Sequence, residues 1–336
     1  MSDQPIIVSA SPHVHSDRTS KKLMYDVVIA LAPAFLVSLY VFGISAVITT
    51  AAAVVSCLLV EYLIQKYLLK TTVTIWDGSG LITGILLAFN LPAGLPVWMV
   101  VIGSLVAIGI AKLSFGGLGH NIFNPALVGR VFLLVSFPVQ MTLWPTAVEN
   151  NSTVVDAVTG ATTLGLIKEG VQFGQTIPDL SAQIPSVTSM FLGITAGSLG
   201  EMSALALLLG GLFLIVRRVI SWHIPVTLLA TMSLMTGIFW RIDPDHYANP
   251  LIHLLSGGAI LGAFYMATDL VTSPVTKKGM MIFAFGIGVI TVVIRLFGSY
   301  PEGISFAILI MNAFVPLINS YFKPRRFGAK IKVKMM

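Results

Sequence analysis

Charge is scarce in this sequence. Only 10% of its 336 residues are Asp, Glu, Lys or Arg, while 56% are hydrophobic and the mean hydropathy is +0.90. Soluble domains carry about 25% charged residues, so one apolar core inside a water-exposed shell is excluded and a polytopic membrane protein is implied. Cysteine is nearly absent. Cys57 stands alone inside an apolar run, which excludes an internal disulfide and an iron–sulfur cluster ligated by this chain alone, and leaves Cys57 a packing role. The histidines, His13, His15, His120, His223, His246 and His253, fall at no metal-binding spacing, and no metal site is expected. A net charge of +6 and a pI of about 9.4 would suit nucleic acid. Most of the Lys and Arg, however, cluster beside spans that would place them on one side of a membrane, so the basic balance is a topology signal and no nucleic-acid partner is expected.

Long apolar runs are what the chain does have. Spans are expected over 24–42, 44–63, 72–90, 97–115 and 122–135, then over 190–216, 222–240, 250–268, 280–297 and 304–322. The first run follows Lys21-Lys22 in the manner of a signal peptide, but it is about twice the length of a signal segment and has no clear cleavage site, so it counts as a span. Two runs contain residues that no uninterrupted helix favours, Asp77-Gly78-Ser79-Gly80 and Ser256-Gly257-Gly258, since glycine costs about 1 kcal/mol against alanine inside a helix. Both are expected to be broken helices.

The fold class is therefore an all-α polytopic membrane protein of about ten transmembrane helices. The expected division is a segment over 1–22, a membrane half over 23–135, a polar loop over 136–185, a second membrane half over 186–322 and a basic tail over 323–336. The halves echo one another: Ser79-Gly80 followed by Asn90 matches Ser256-Gly257-Gly258 followed by Asp269, and Asn124 with Pro125 matches Asn312 with Pro316. Five spans per half make the second copy enter from the opposite side, a 5+5 inverted repeat. Charge asymmetry puts both termini in the cytoplasm and the loop outside. The breaks are expected to meet near the midplane, away from the loop, where unwound backbone lines a cavity for a second ligand or an ion route.

The loop contains Asp156-Ala157-Val158-Thr159-Gly160-Ala161-Thr162-Thr163. Two threonine hydroxyls flank Gly160-Ala161, which have almost no side chain, so a bulky group can approach the backbone and its phosphate can accept from nearby N–H groups. Asp156 is placed to orient a hydroxyl or to hold a divalent cation during phosphoryl transfer. Short Thr/Gly/Ala runs also make ordinary turns, and the residues alone leave both readings open.

The run resembles the Asp-x-x-Ser/Thr-Gly-Ala-Thr signature of a flavin transferase substrate, in which the last threonine, here Thr162, is joined to FMN by a phosphoester. Over most of its length the chain resembles the D subunits of Rnf ion-translocating electron-transport complexes, near relatives of the B subunit of Na+-translocating NADH:quinone reductase. The 22 residues before the first span, fewer than is typical of the quinone reductase subunit, favour the Rnf side. The resemblance implies a bacterial cytoplasmic-membrane subunit that transfers electrons without being independently catalytic. It also implies covalent FMN on Thr162, with Asp156, Thr159, Gly160, Ala161 and Thr163 as supporting motif residues, and a second, non-covalent riboflavin. The implied partners are Rnf subunits A, B, C, E and G, ferredoxin and NAD-linked components, and a flavin transferase, with coupled Na+ or H+ transport. A urea-channel-like transporter and a cofactor-free scaffold are the alternatives that broken helices and inverted repeats also allow.

Ionisable residues inside spans are costly enough to be functional candidates. Arg130, Arg295, Asp77 and Asp269, with Gly78, Gly80, Gly257 and Gly258, are the midplane candidates, and for the charged four both function and structural pairing are open. Glu61, Lys112, Glu201 and Glu302 stand near span ends and are expected to snorkel to the headgroups. Trp76, Trp98, Trp144, Trp222 and Trp240 are expected as interfacial anchors.

Overall fold

Gly43 joins the first two spans without a loop. Its φ of 58° is open to glycine at little cost, so α1 (Ser20–Phe42) ends and α2 (Ile44–Leu63) begins on either side of one residue. Thr19 starts α1 by accepting a hydrogen bond from Lys22 N at 3.3 Å. The computed structural model of the chain describes residues 19–145, 159–193 and 197–324; Asp156 lies outside the described residues.

The chain is an all-α polytopic membrane protein. Among the described residues six helices are long and apolar enough to cross a membrane: Ser20–Phe42, Ile44–Leu68, Val97–Phe115, His223–Ile242, Lys277–Phe297 and Ile304–Tyr321. Three shorter apolar helices, α3 (Ser79–Phe89), α5 (Pro125–Ser136) and α10 (Ala204–Val216), lie among them. Both breaks occur where the sequence places them. Gly78 (φ 86°) separates a 3-10 turn at Ile75–Asp77 from α3. Ser256, Gly257 and Gly258 separate α12 (Pro250–Leu255) from α13 (Ala259–Leu261), which runs on into a π turn at Gly262–Met266.

Packing follows the two halves. In the first, α2 packs against α3 and α4 (Val97–Leu105). In the second, α11 (His223–Ile242) packs against α12 and α14 (Lys277–Phe297), and α14 against α15 (Ile304–Tyr321). The halves are joined where α1 crosses α10, a contact that only glycine permits: a Cβ on Gly210 would collide with the Ala30 carbonyl. Tyr265 locks the crossing, its hydroxyl donating to Leu207 O at 2.9 Å and Ala30 O at 3.2 Å.

The matched pair Asn124 and Asn312 is resolved differently from expectation. Asn124 caps α5 with Pro125 at its first position, whereas Asn312 and Pro316 lie inside α15. The two asparagines are partners in space: with the Asn312 amide turned to satisfy its neighbours, Asn124 N donates to its side-chain oxygen at 3.1 Å.

The polar loop is more structured than a loop. α6 (Pro138–Thr142) leads into β1 (Trp144–Pro145), which pairs antiparallel with β2 (Thr159–Gly160), Trp144 opposite Gly160. α7 (Thr163–Gln172) follows, then α8 (Ile177–Leu180) and α9 (Val187–Leu192). α7 turns Leu164, Ile167 and Gly170 inward, a spacing of three that gives a short helix one apolar face. Trp144 is buried in this layer, which corrects its reading as an interfacial anchor.

Candidate functional site

Thr162 is the N-cap of α7. Its backbone is extended (φ −64°, ψ 155°) and its Oγ1 accepts from Gly165 N at 3.1 Å. The first N–H groups of a helix have no carbonyl partner within it, and the aligned peptide dipoles place positive potential there, so a phosphate on Thr162 Oγ1 would meet a surface built for anions. Thr162 and Thr163 are buried and line a narrow cleft with Met190, Gly197, Glu201 and Gly257. Ala161 is exposed. α7 is tied down from its far side by Lys168, whose Nζ donates to Tyr300 O at 2.8 Å and to Arg295 O at 3.3 Å, next to the end of α14. Burial holds the Lys168 ammonium below the usual lysine range.

A group of buried charges stands behind the cleft. Arg130 on α5 donates to Glu302, to Ser305 Oγ at 2.6 Å and to Asn90 Oδ1 at 3.0 Å, and lies 4.0 Å from Glu201 Oε1. Arg295 on α14 donates to the carbonyls of Ser256 (3.1 Å) and Gly257 (2.9 Å), satisfying backbone that the break leaves without helical partners. At the opposite end of the bundle Lys112 Nζ donates to Glu61 Oε1 at 2.6 Å and Ser79 Oγ at 2.7 Å, and Asp77 Oδ1 accepts from Ser79 N at 2.7 Å. Asp269 accepts from Thr272 Oγ1 at 3.0 Å in the turn after the second broken helix.

These positions correct three expectations. Glu61, Lys112, Glu201 and Glu302 do not snorkel: side-chain exposures of 0%, 3%, 7% and 11% put them inside the protein, because each has an opposite charge within 4.0 Å. The two glycine breaks do not meet. Gly78 and Gly80 lie against Met24 and Glu61, whereas Gly257 and Gly258 lie against Leu164, Arg295 and Glu201; what meets is the far ends of the broken helices, at Asn90 and Met266. Nor is the second break remote from the motif. Gly257 lines the Thr162 cleft, and a Cβ there would stand 2.5 Å from Leu164 of α7. Proximity of residues this far apart in the chain leaves no local pattern for sequence reading to find.

A second cavity opens where α1 begins and α10 ends. Lys112, Ser79, Asn121, Asn124, Thr268 and Asp269 supply its polar wall and Leu86, Phe264 and Tyr265 much of its apolar one. The Thr162 cleft lies by the start of α10, so the two sites are separated by that helix, about 20 Å at 1.5 Å per residue over its 13 residues.

Comparison with known proteins gives this geometry a context. The profile of the NQR2, RnfD, RnfE family matches residues 7–328. The chain is 44% identical over 324 residues to the D subunit of the proton-translocating ferredoxin:NAD(+) oxidoreductase complex of Clostridium ljungdahlii, covering 96% of each chain. It is 45% identical over 335 residues to the D subunit of the Na(+)-translocating ferredoxin:NAD(+) oxidoreductase complex of Acetobacterium woodii, covering 99% of this chain and 98% of that one. To the D subunit of the ion-translocating oxidoreductase complex of Halorhodospira halophila it is 40% identical over 337 residues, covering 95% and 94%. With the family profile spanning nearly the whole sequence and relatives this similar from end to end, the chain belongs to the NQR2, RnfD, RnfE family.

Proposed function

We propose that this chain is the D-type subunit of an ion-translocating ferredoxin:NAD oxidoreductase complex and that it carries FMN on Thr162 through a phosphoester. The observation that carries the proposal is the position of Thr162: its hydroxyl caps a ten-residue helix, whose N-terminal end suits a phosphate, and it lines a cleft. Gly160 sits opposite Trp144 in the ladder just before it, and the exposed Ala161 alone joins that ladder to Thr162. Bound FMN supplies the electron chemistry; the chain supplies its seat, the surrounding charge and the exclusion of water.

The cavity at the other end of α10 is the proposed seat of the non-covalent riboflavin, its apolar walls suited to an isoalloxazine and its asparagine and threonine groups to the ring edge and ribityl hydroxyls. The Thr162 face is external and both termini are cytoplasmic, with Rnf subunits A, B, C, E and G as neighbours and a flavin transferase acting in maturation. Electron passage between the two flavins is the step to which Na+ or H+ movement is coupled.

The mass of the peptide containing Thr162 tests the reading. Co-expression with a flavin transferase should raise it by FMN less one water, and Thr162→Ala should abolish the increment. An adduct on Thr159 or Thr163 would overturn the residue assignment. A chain at its sequence mass, as a plain pore or a cofactor-free scaffold would have, would overturn the function.

A further inference from the structure

Arg295 differs from Lys112, the cation at the other break, in its counter-ion. Lys112 has Glu61 at 2.6 Å, whereas among the described residues no carboxylate stands within 4.0 Å of Arg295, and the charges of Glu201 and Glu302 reach it from farther away. Beside Arg295 is a third cavity, of about 450 Å³, a size within the range of small-ligand sites. It lies between α7, the turn that follows α11 and the end of α14. Lys168, Gln172, His246 and Tyr247 line it, and Arg295, 5% exposed, is buried in its wall.

That wall is short of acceptors. Asp243 is the one carboxylate among the lining residues, and its own turn satisfies it: Oδ2 accepts from His246 Nδ1 at 2.8 Å, and Oδ1 from Asp245 N at 3.2 Å and His246 N at 3.3 Å. Glu169, Asp179 and Asp245, the other acids of these segments, do not line the cavity. The Gln172 amide and the Tyr247 hydroxyl have no hydrogen-bond partner among the described residues. Lys168 donates to three carbonyls, two of them at 3.3 and 3.4 Å, which is long for a hydrogen bond, and burial disfavours its ammonium, a cost that an anion beside it would offset.

The cavity stands at a membrane surface. α11 and α14 end beside it and α12 begins there, and the exposed Trp240 and Arg241 mark the interface in the last turn of α11. Phe297 both lines the cavity and is 63% exposed. Val293, one turn back on α14, is 44% exposed, and Ile290, three residues before it, is half-buried, so an apolar track on one helix face leads from the cavity into the span.

We infer that this cavity binds the phosphate of an anionic phospholipid in the leaflet at the Thr162 face. Lys168, Gln172 and Tyr247 hold the headgroup in the field of Arg295, and the acyl chains lie along Phe297 and Val293. A zwitterionic headgroup would bring its ammonium against Lys168 and Arg295, with the one lining carboxylate already taken by His246. A free phosphate would leave Leu296 and Phe297 uncovered. The bound lipid braces α7 against the end of α14, and the site does not depend on a flavin at Thr162.

The test uses the full chain in a neutral detergent, titrated with phosphatidylglycerol, with phosphatidylcholine of the same acyl chains and with the soluble headgroup glycerophosphoglycerol, and read by native mass spectrometry. One phosphatidylglycerol should be retained several-fold more strongly than phosphatidylcholine. Gln172 is exposed, so its variants should fold. Gln172→Glu should weaken retention several-fold and Gln172→Lys should strengthen it, while Gln183→Glu, exposed and outside the cavity, should change nothing. Equal retention of the two lipids, or equal retention in Gln172→Glu and Gln172→Lys, overturns the inference. Displacement of the lipid by an equimolar amount of the soluble headgroup overturns it as well, by making the cavity a site for a free anion. The purified complex is measured in parallel: phosphatidylglycerol retained there supports the assignment, whereas its loss there but not from the isolated chain gives the cavity to a neighbouring subunit and overturns it.

Discussion

Lys112 and Arg295 hold matching stations in the two halves. Each lies at or just beyond the end of the fourth helix of its half, and each donates to the residues at the break in the third, Lys112 to Ser79 Oγ at 2.7 Å and Arg295 to Gly257 O at 2.9 Å. A broken helix exposes backbone and side-chain acceptors that apolar surroundings do not satisfy, and in each half a cation brought in from a neighbouring helix does so.

Replacing Lys112 with Met should destabilise the fold by about 3–5 kcal/mol, because Glu61 would be left as an uncompensated buried charge. Pairing Lys112→Met with Glu61→Gln should recover part of that loss. Thermal unfolding of the detergent-solubilised protein measures both.

Arg295→Lys keeps the charge and loses the fork that reaches three carbonyls at once, those of His253, Ser256 and Gly257. Each buried carbonyl left unpaired costs about 1–3 kcal/mol. The variant should unfold at a lower temperature than its parent, and its hydrogen exchange should rise around α12 more than around α3.

Gly257→Ala and Gly80→Ala separate the two ends of the molecule. A Cβ on Gly257 meets Leu164 at 2.5 Å and Arg295 at 2.7 Å with φ at 64°, so this change should displace α7 and lower the yield of Thr162 modification by several-fold. A Cβ on Gly80 meets Glu61 instead, so that variant should lose stability while modifying Thr162 as the parent does. Peptide mass at Thr162 with a melting curve for each distinguishes the pair, and equal modification in both would disconnect the second break from the cleft.

Thr162→Ser should retain the α7 cap and a hydroxyl for modification, whereas Thr162→Ala should lose the modification and also weaken α7 by about 1 kcal/mol, the usual cost of removing an N-cap oxygen. Exchange protection of α7 in chains prepared without the transferase isolates the capping contribution.

Single cysteines at two exposed positions, Gln175→Cys and Lys323→Cys in a Cys57→Ala background, should react with impermeant reagent from opposite faces of the membrane. Reaction from one face would overturn the proposed topology.

Much of this protein is written locally in its sequence. Hydropathy alone marks the long helices, since each needs only about 20 apolar residues in a row. Gly78, Gly257 and Gly258 mark the breaks, because their positive φ angles are costly for other residues. Thr162 ahead of an apolar spacing of three marks the start of α7. What only the tertiary structure decided is where the charges go. A single residue's hydropathy assigns Glu61, Lys112, Glu201 and Glu302 to the membrane surface, yet Glu61 finds Lys112 51 residues away and Glu302 finds Arg130 172 residues away, and those meetings make burial tolerable. The same holds for Gly257 and Glu201 beside Thr162: their place in the cleft follows from how α7, α10 and the second broken helix pack, a relation among distant segments that no local pattern encodes.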